Sequence, residues 1–206
     1  MLPYKGGKPR KRHAILALNL NGGGGFEIWQ YVGRTPVGTD FEILPGDLGI
    51  NAIKIKSFDV DSVYNTLKTA GVRMLSNLTK DPQGKDHFYF EDPYGNAFEV
   101  VDQNHWFNKI RQPNGGVGGV TIGVSDMEAS IPFYKEILGY DTVIYDETGR
   151  HQDMEKFDHT GQKMRRVLLG HSKPVKGPFS GLLGDSVIEL VQTLDRKPRK
   201  IFENRY

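Results

Sequence analysis

The chain has 206 residues, with 27 Lys or Arg against 25 Asp or Glu and a formal net charge of +2. This length supports one large or two small domains, and the near balance of charge removes any general electrostatic drive towards nucleic acid or membrane. The absence of cysteine excludes disulfides, thiolate nucleophiles and cysteine-bound metal. Because no apolar run approaches the roughly 18 residues of a membrane span, we expect a cytoplasmic protein that binds neither nucleic acid nor membrane.

A basic tail at residues 1–13 precedes a predicted hairpin. The run Lys8–Arg12 is expected to be solvated rather than to bind phosphate, because nothing near it stacks bases. Residues 14–32 contain two apolar strands around Asn21 and four glycines, and such a turn tolerates positive φ. The sequence therefore predicts a two-stranded hairpin before the first full structural unit.

The first full unit runs from residue 51 to residue 101. It opens with a strand at 51–57, and the helix after it is expected to be capped by Asp61 or Ser62 and closed by Gly71. The turn that begins at Asp92 (Asp-Pro-Tyr-Gly) has the residues that a β-turn prefers. The remaining strands of the unit are predicted at 73–78, 86–91 and 96–101.

A second unit with the same order opens at residue 118, after a linker at 103–117. Its helix is expected to begin near Ser130, which puts Pro132 in the first turn, and to end at Gly139. Its further strands are predicted near 140–146, 163–169 and 186–192, and 196–206 is a tail or a connector. Repeated units of this kind usually bury their apolar faces against each other, so we expect the modules to pair.

Two segments carry a resemblance to a known family. Val124–Gly139 resembles the opening strand and helix of the vicinal oxygen chelate superfamily, and Phe90–Val100 resembles its closing turn and strand. The superfamily includes glyoxalase I, extradiol dioxygenases and bleomycin resistance proteins. The resemblance implies an α+β fold of paired βαβββ modules, with curved mixed sheets and helices outside.

The resemblance leaves the pairing of the modules open. In one arrangement, residues 14–102 are a glyoxalase-like domain that lacks its first strand and helix. Residues 118–195 are then the opening module of a second domain, so that the chain is incomplete at both ends. Alternatively, the two full modules pair with each other, or subunits of a homodimer exchange modules.

The resemblance also implies a divalent metal (Zn, Mn, Ni, Co or Fe) on the floor of a cup. The expected ligands include the closing-strand glutamates Glu27, Glu99 and Glu189, and the last two are also the candidate catalytic residues. The resemblance also implies a metal-binding His or Gln on each opening strand. The positions expected for these ligands hold Ala52 and Gly119, which cannot ligate through their side chains. A metal-free site is therefore an equal alternative, with Glu99 neutralised by Lys54 from the adjacent strand.

The same resemblance implies a small-molecule pocket inside the cup. Two functions follow from it: a glyoxalase-type lyase, isomerase or dioxygenase with possible metal assistance, or a metal-free binding protein of the bleomycin-resistance type. In the second case, aromatic walls would stack a planar or cationic ligand. The charges of the loop Arg150–Gln162 are expected to face solvent, although such loops also cap cups. The expected pocket residues are Trp29, Tyr31, Asn51, Lys54, His87 and Tyr89.

Overall fold

The computed structural model describes residues 11–33, 35, 37–110 and 112–203, so the basic run up to residue 10 and residues 204–206 lie outside the described residues. The described residues form a two-stranded hairpin, a nine-stranded mixed sheet and three α-helices. The helices are α1 (Val60–Thr69), α2 (Met127–Leu138) and α3 (Ser180–Leu183). The strands are β1 (Arg12–Ala17), β2 (Phe26–Tyr31), β3 (Gly49–Ser57), β4 (Arg73–Met74), β5 (Thr79–Lys80), β6 (Asp86–Glu91), β7 (Ala97–Asp102), β8 (Asn114–Gly123), β9 (Thr142–Gly149), β10 (Met164–Gly170) and β11 (Val187–Thr193).

Each full unit builds one half of the large sheet with the same strand order. The sheet runs β4-β6-β7-β3-β8-β11-β10-β9, with β5 paired to β6. In each half the opening strand is parallel to the closing strand, β3 to β7 and β8 to β11. The halves meet where β3 pairs antiparallel with β8. The predicted α+β fold of paired modules in a curved sheet is confirmed, and the two full modules of one chain pair with each other.

The two faces of the sheet carry different side chains. On one face, α1 packs on a cluster that includes Phe88 and Val100, and α2 packs on a cluster that includes Val167 and Leu190. Because neighbouring residues of a strand point to opposite faces, Tyr89 and every second residue along the strands line the other, concave face, against which neither α1 nor α2 packs. We call this face the cup.

Both long helices begin earlier than the sequence indicated. Asp59, rather than Asp61 or Ser62, caps α1, because its side chain accepts a hydrogen bond from the Ser62 backbone N–H at 3.0 Å. Asp126 caps α2 in the same way, so Pro132 lies inside the helix and removes one backbone donor there.

Two predicted boundaries also change. The strand expected at 73–78 is reduced to β4, because the N–H groups of Leu75 and Ser76 both donate to the Tyr89 carbonyl, at 2.8 and 3.2 Å, and interrupt the ladder. The expected linker at 103–117 contributes its last four residues to β8.

The carboxy-terminal segment is docked through one buried carboxylate. Asp47 accepts hydrogen bonds from the Arg196 guanidinium at 2.6 Å and from the Arg199 backbone N–H at 2.8 Å. Burial alone would raise the pKa of Asp47, but these hydrogen bonds and that of Leu44 lower it overall. Residues 196–203 therefore pack against the segment that leads into β3. Among the described residues, no helix is long and apolar enough to cross a membrane.

Candidate functional site

A buried cluster of charged side chains occupies the centre of the cup. Lys54 on β3 lies in register with Glu99 on β7, and its ammonium group donates to that carboxylate. The same ammonium donates to Oε2 of Glu189 on β11 at 2.7 Å. All three residues are at most 3% exposed. The predicted Lys54–Glu99 pair is therefore present, and Lys54 also joins the two halves of the sheet.

Three further side chains hold the Glu189 carboxylate. The guanidinium of Arg166 on β10 donates from Nε to Oε1 at 2.7 Å, and the Tyr145 hydroxyl donates to the same oxygen at 2.7 Å. The Thr121 hydroxyl donates to Oε2 at 3.3 Å. Glu189 is therefore held by four donors, counting Lys54, and two of them carry a positive charge.

His87 and Asp153 extend the cluster towards the loop between β9 and β10. The Nδ1 atom of His87 lies 2.8 Å from Oε1 of Glu99, and its Nε2 atom lies 3.4 Å from Oδ2 of Asp153. Arg166 donates from Nη1 to the same Asp153 oxygen at 2.6 Å. The cluster thus contains two permanent cations, three carboxylates and one imidazole.

These contacts fix the charge states of the central groups. Burial alone would lower the pKa of Lys54, but the carboxylates of Glu189 and Glu99 raise it overall. Burial alone would raise the pKa of Glu99 and Glu189, but their cationic neighbours lower both. At neutral pH the lysine is an ammonium and the glutamates are carboxylates, so none of them is poised for proton transfer.

The loop Arg150–Gln162 fills one half of the cup. Met154 is fully buried and Phe157 nearly so, and the Phe157 ring lies 5.1 Å from the Tyr89 ring, centroid to centroid. Asp153 and Asp158 are buried, so the expectation of solvent-facing charges in this loop is wrong for both. Asp153 is buried because it pairs with Arg166, and the loop caps the cup.

The other half of the cup keeps a small hollow of about 110 Å³. Lys54 and Glu99 line its inner end together with Tyr145. Asp81 and Lys85, from the segment around β5, also line it, as do Ile144 and Val187. The lining therefore combines both signs of charge with apolar walls.

Three buried polar atoms of the cup have no hydrogen-bond partner among the described residues: His87 Nε2, Tyr89 Oη and Arg166 Nη2. A buried donor or acceptor left without a partner costs about 1–3 kcal/mol. The three side chains are fully buried, and none of them lines the hollow.

The structure brings only part of the predicted site together. Glu99, Glu189, Lys54, His87 and Tyr89 all lie in the cup. Asn51 is also buried, but its side chain holds the preceding loop through hydrogen bonds with Gly46 N and Asp47 O, each 2.8 Å long.

The hairpin residues lie elsewhere. Glu27 is exposed on β2, whose ladder partner is β1 and not the large sheet, so the shared hollow expected for all three glutamates does not include it. Trp29 packs under the Arg12 guanidinium, 3.4 Å from the ring centroid, and Tyr31 lies on the same hairpin strand. These three side chains do not join the cluster.

The cluster does not fit a divalent metal. The opening-strand residues in register with Glu99 and Glu189 are Lys54 and Thr121, rather than the predicted slots at Ala52 and Gly119. Neither of them supplies an imidazole or an amide. The ammonium of Lys54 already lies between the two carboxylates. Within the described ranges, no group of three or more His, Cys, Asp or Glu side chains is arranged to hold a metal ion.

Four residues of the cluster were not predicted from the sequence: Arg166, Tyr145, Thr121 and Asp153. Arg166 left a usable signal, because it shares a strand face with Met164 and Leu168 in a segment predicted to be a strand. A charged residue on an apolar strand face needs a buried partner, and Glu189 was the available carboxylate. No comparable sequence pattern indicated a place in the cluster for Tyr145, Thr121 or Asp153.

Comparison with known proteins places this geometry in a family. Residues 5–100 match the sequence profile of the Glyoxalase/Bleomycin resistance protein/Dioxygenase superfamily. The match covers a little under half of the chain, and it confirms over these residues the resemblance inferred from the sequence.

Solved structures of the superfamily share the fold. A point mutant of glyoxalase I from Zea mays is similar, with 17% identity and a TM-score of 0.56 over 96% of this chain and 58% of that one. A putative dioxygenase from Bacillus subtilis subsp. subtilis str. 168 also has 17% identity, with a TM-score of 0.52 over 90% of this chain and 53% of that one. The chain thus spans between half and two thirds of the length of these structures, and at this identity the likeness establishes the fold alone. No curated protein sequence matches the chain.

Proposed function

We propose that this chain is a small-molecule-binding protein whose cup works without a metal ion. The observation that carries the proposal is the Lys54 ammonium, which donates to both Glu99 and Glu189. In a metal-assisted lyase, isomerase or dioxygenase, carboxylates at such positions would hold a cation and polarise a substrate. Here Lys54 and Arg166 of the chain itself balance them, so the metal-free alternative is favoured over the metal-assisted enzyme.

The ligand that fits the cup is a small polar molecule. The hollow of about 110 Å³ reaches Lys54 and Glu99, and it offers Lys85 as a further cation and Asp81 as a further carboxylate. A molecule with both donors and acceptors would pair with both kinds of group, which offsets the cost of its desolvation. We propose a cytoplasmic location for this binding activity.

The metal-free state is tested with Lys54→Met. Removing a partner from a buried ion pair costs about 3–5 kcal/mol, because Glu99 and Glu189 would then share no ammonium. We expect untagged wild-type protein to contain no stoichiometric Zn, Mn, Ni, Co or Fe by elemental analysis. We expect the Lys54→Met variant to be less stable and to regain thermal stability when Mn²⁺ or Zn²⁺ is added.

Lys56→Met is the matched control. Lys56 is buried two residues further along the same face of β3, but it donates to the His105 carbonyl at 2.8 Å and touches neither glutamate. Its replacement is expected to leave the response to metal ions unchanged. The proposal would be overturned if the wild type contained stoichiometric metal and the Glu99→Gln variant did not.

Ligand binding is tested separately with saturation-transfer NMR in the presence of EDTA, with glycine, glycolate and glycerol as probes. We expect at least one probe to bind the wild type. We expect this binding to be lost in Ile144→Trp, because Ile144 lines the hollow and the larger indole ring would fill it. Failure of all three probes, or binding that EDTA abolishes, would contradict a metal-independent polar site.

A further inference from the structure

A larger cavity, of about 400 Å³, lies on the helix-bearing face of the sheet. The hairpin, α1 and strands β3, β6 and β7 surround it. Ile55 and Val100 line the cavity, whereas their sequence neighbours Lys54 and Glu99 face the cup. Since adjacent strand residues point to opposite faces, the cavity and the cup are separate sites on the two sides of one sheet.

The cavity is lined by aromatic and aliphatic side chains. The rings of Phe90 and Phe98 stack with centroids 5.2 Å apart and planes at 16°, and Phe26 of the hairpin meets Phe98 edge-on at 5.9 Å. Val63 and Leu67 of α1 complete the apolar wall. No described lining residue carries a charge, and the polar ones, such as Thr66 and Gln112, are neutral.

The hairpin wall of this cavity is fixed to the large sheet by a glycine seam, which we define as the contact between residues 22–24 and 115–117. Gly24 and Val117 exchange backbone hydrogen bonds of 2.7 and 2.8 Å. A Cβ atom on Gly116 would lie 2.3 Å from the Gly24 carbonyl oxygen, so only glycine allows the chains to approach this closely. Beside the seam, the buried Asn21 donates to the Gln112 carbonyl at 2.7 Å.

We propose that this cavity is a second binding site, one that takes an uncharged planar aromatic molecule. Its volume lies in the range of about 300–1,000 Å³ that is typical of small-molecule pockets. An ion would lose its hydration there without gaining a charged partner. A neutral ring would extend the stack of Phe90 and Phe98 and bury its apolar area. The second site does not depend on the function proposed for the cup.

The experiment is a fluorescence titration of the full chain with N-phenyl-1-naphthylamine, an uncharged aromatic probe. Thr66 is exposed on α1 and lines the cavity, so Thr66→Phe fills the site without disturbing the core. Thr69→Phe makes the same change on the same helix at an exposed position that does not line the cavity. We expect saturable wild-type binding, a Kd at least about tenfold weaker in Thr66→Phe, and an unchanged Kd in Thr69→Phe.

Two further arms separate this site from its alternatives. Ile144→Trp alters the hollow of the cup and is expected to leave probe binding intact; loss of binding there would place the probe in the cup and overturn the proposal. Equal weakening in Thr66→Phe and Thr69→Phe, or no saturable binding, would also overturn it. So would an affinity that falls as protein concentration rises, because a second copy of the chain would then be filling the cavity.

Discussion

Glu189 is a fully buried carboxylate whose charge is stabilised by its neighbours. Arg166, Lys54, Tyr145 and Thr121 all donate to it. These donors outweigh desolvation and lower the pKa of Glu189, and that of Glu99 is lowered as well. A carboxyl group with a lowered folded-state pKa adds stability above its unfolded pKa and loses that stability as the pH falls towards the folded value.

The free energy of unfolding is therefore expected to decrease as the pH falls from neutrality through the ordinary glutamate pKa of about 4.3 and below. Glu189→Gln is expected to cost about 3–5 kcal/mol at pH 7, because Arg166 and Lys54 each lose one of their two buried carboxylate partners, and to reduce the slope below pH 5. Urea unfolding at pH 7, 5 and 3.5 measures both effects. Glu27→Gln is the control, because Glu27 is an exposed glutamate on the hairpin strand β2. A wild-type slope in Glu189→Gln would contradict this explanation.

At the scale of single residues, the sequence predicted the pairing of Lys54 with Glu99 because both positions follow from strand register. It could not predict that the same lysine reaches Glu189, since that contact depends on β3 meeting β8 from the other module. The position of Asp153 could not be predicted either, because the conformation of a loop does not follow the periodicity of a strand. The prediction that Glu27 lies in the shared hollow was wrong for a similar reason. Alternation shows which residues share a face of a strand, but not what packs against that face.

At the scale of elements, the glycine seam decides where the hairpin lies. Gly116→Ala would force a Cβ atom against the Gly24 carbonyl oxygen, and overpacking of this kind costs about 1–3 kcal/mol. We expect the hairpin to detach, with faster proteolytic cleavage between residues 18 and 33 and weaker binding of the aromatic probe. Gly149→Ala is the control, because no atom lies within 4 Å of its added Cβ. A variant Gly116→Ala that is as resistant to protease as Gly149→Ala would show that the seam is not required.

Most elements were predictable because their signals are local. The turn at Asp92, the glycine that ends α2 and the apolar alternation of β6 and β7 all follow from neighbouring residues. The start of α1 was missed because Asp59 and Asp61 are both good caps, and only the backbone shows that Asp59 accepts the bond from Ser62. The Gly115-Gly116 pair was assigned to the linker at 103–117. Its contact with the hairpin could not be predicted, because the partner glycines lie more than 90 positions earlier in the chain.

At the scale of the whole molecule, the hairpin forms a sheet of its own beside the large sheet. Every residue of β1 is exposed, and β1 and β2 form a two-stranded sheet of their own. Segments with few buried contacts open at lower free energy than the core. We therefore expect the hairpin to unfold at a lower urea concentration than the nine-stranded sheet.

The two tryptophans allow this to be measured. In Trp106→Phe, fluorescence reports Trp29 on the hairpin, and its transition is expected to precede the loss of far-UV circular dichroism. In Trp29→Phe, fluorescence reports Trp106, which donates to the Gln103 carbonyl next to the sheet, and its transition is expected to coincide with circular dichroism. Coincident transitions in both variants would show a single cooperative unit.

The loop between β9 and β10 has a consequence for how the cup can change. Met154 and Phe157 occupy space that the sheet itself leaves open, and they do so from a connection whose length the strand ladder does not constrain. Shortening this connection would enlarge the accessible volume without altering a single paired strand. Insertions and deletions in this loop can therefore change the size of the ligand that the cup holds, without changing the sheet.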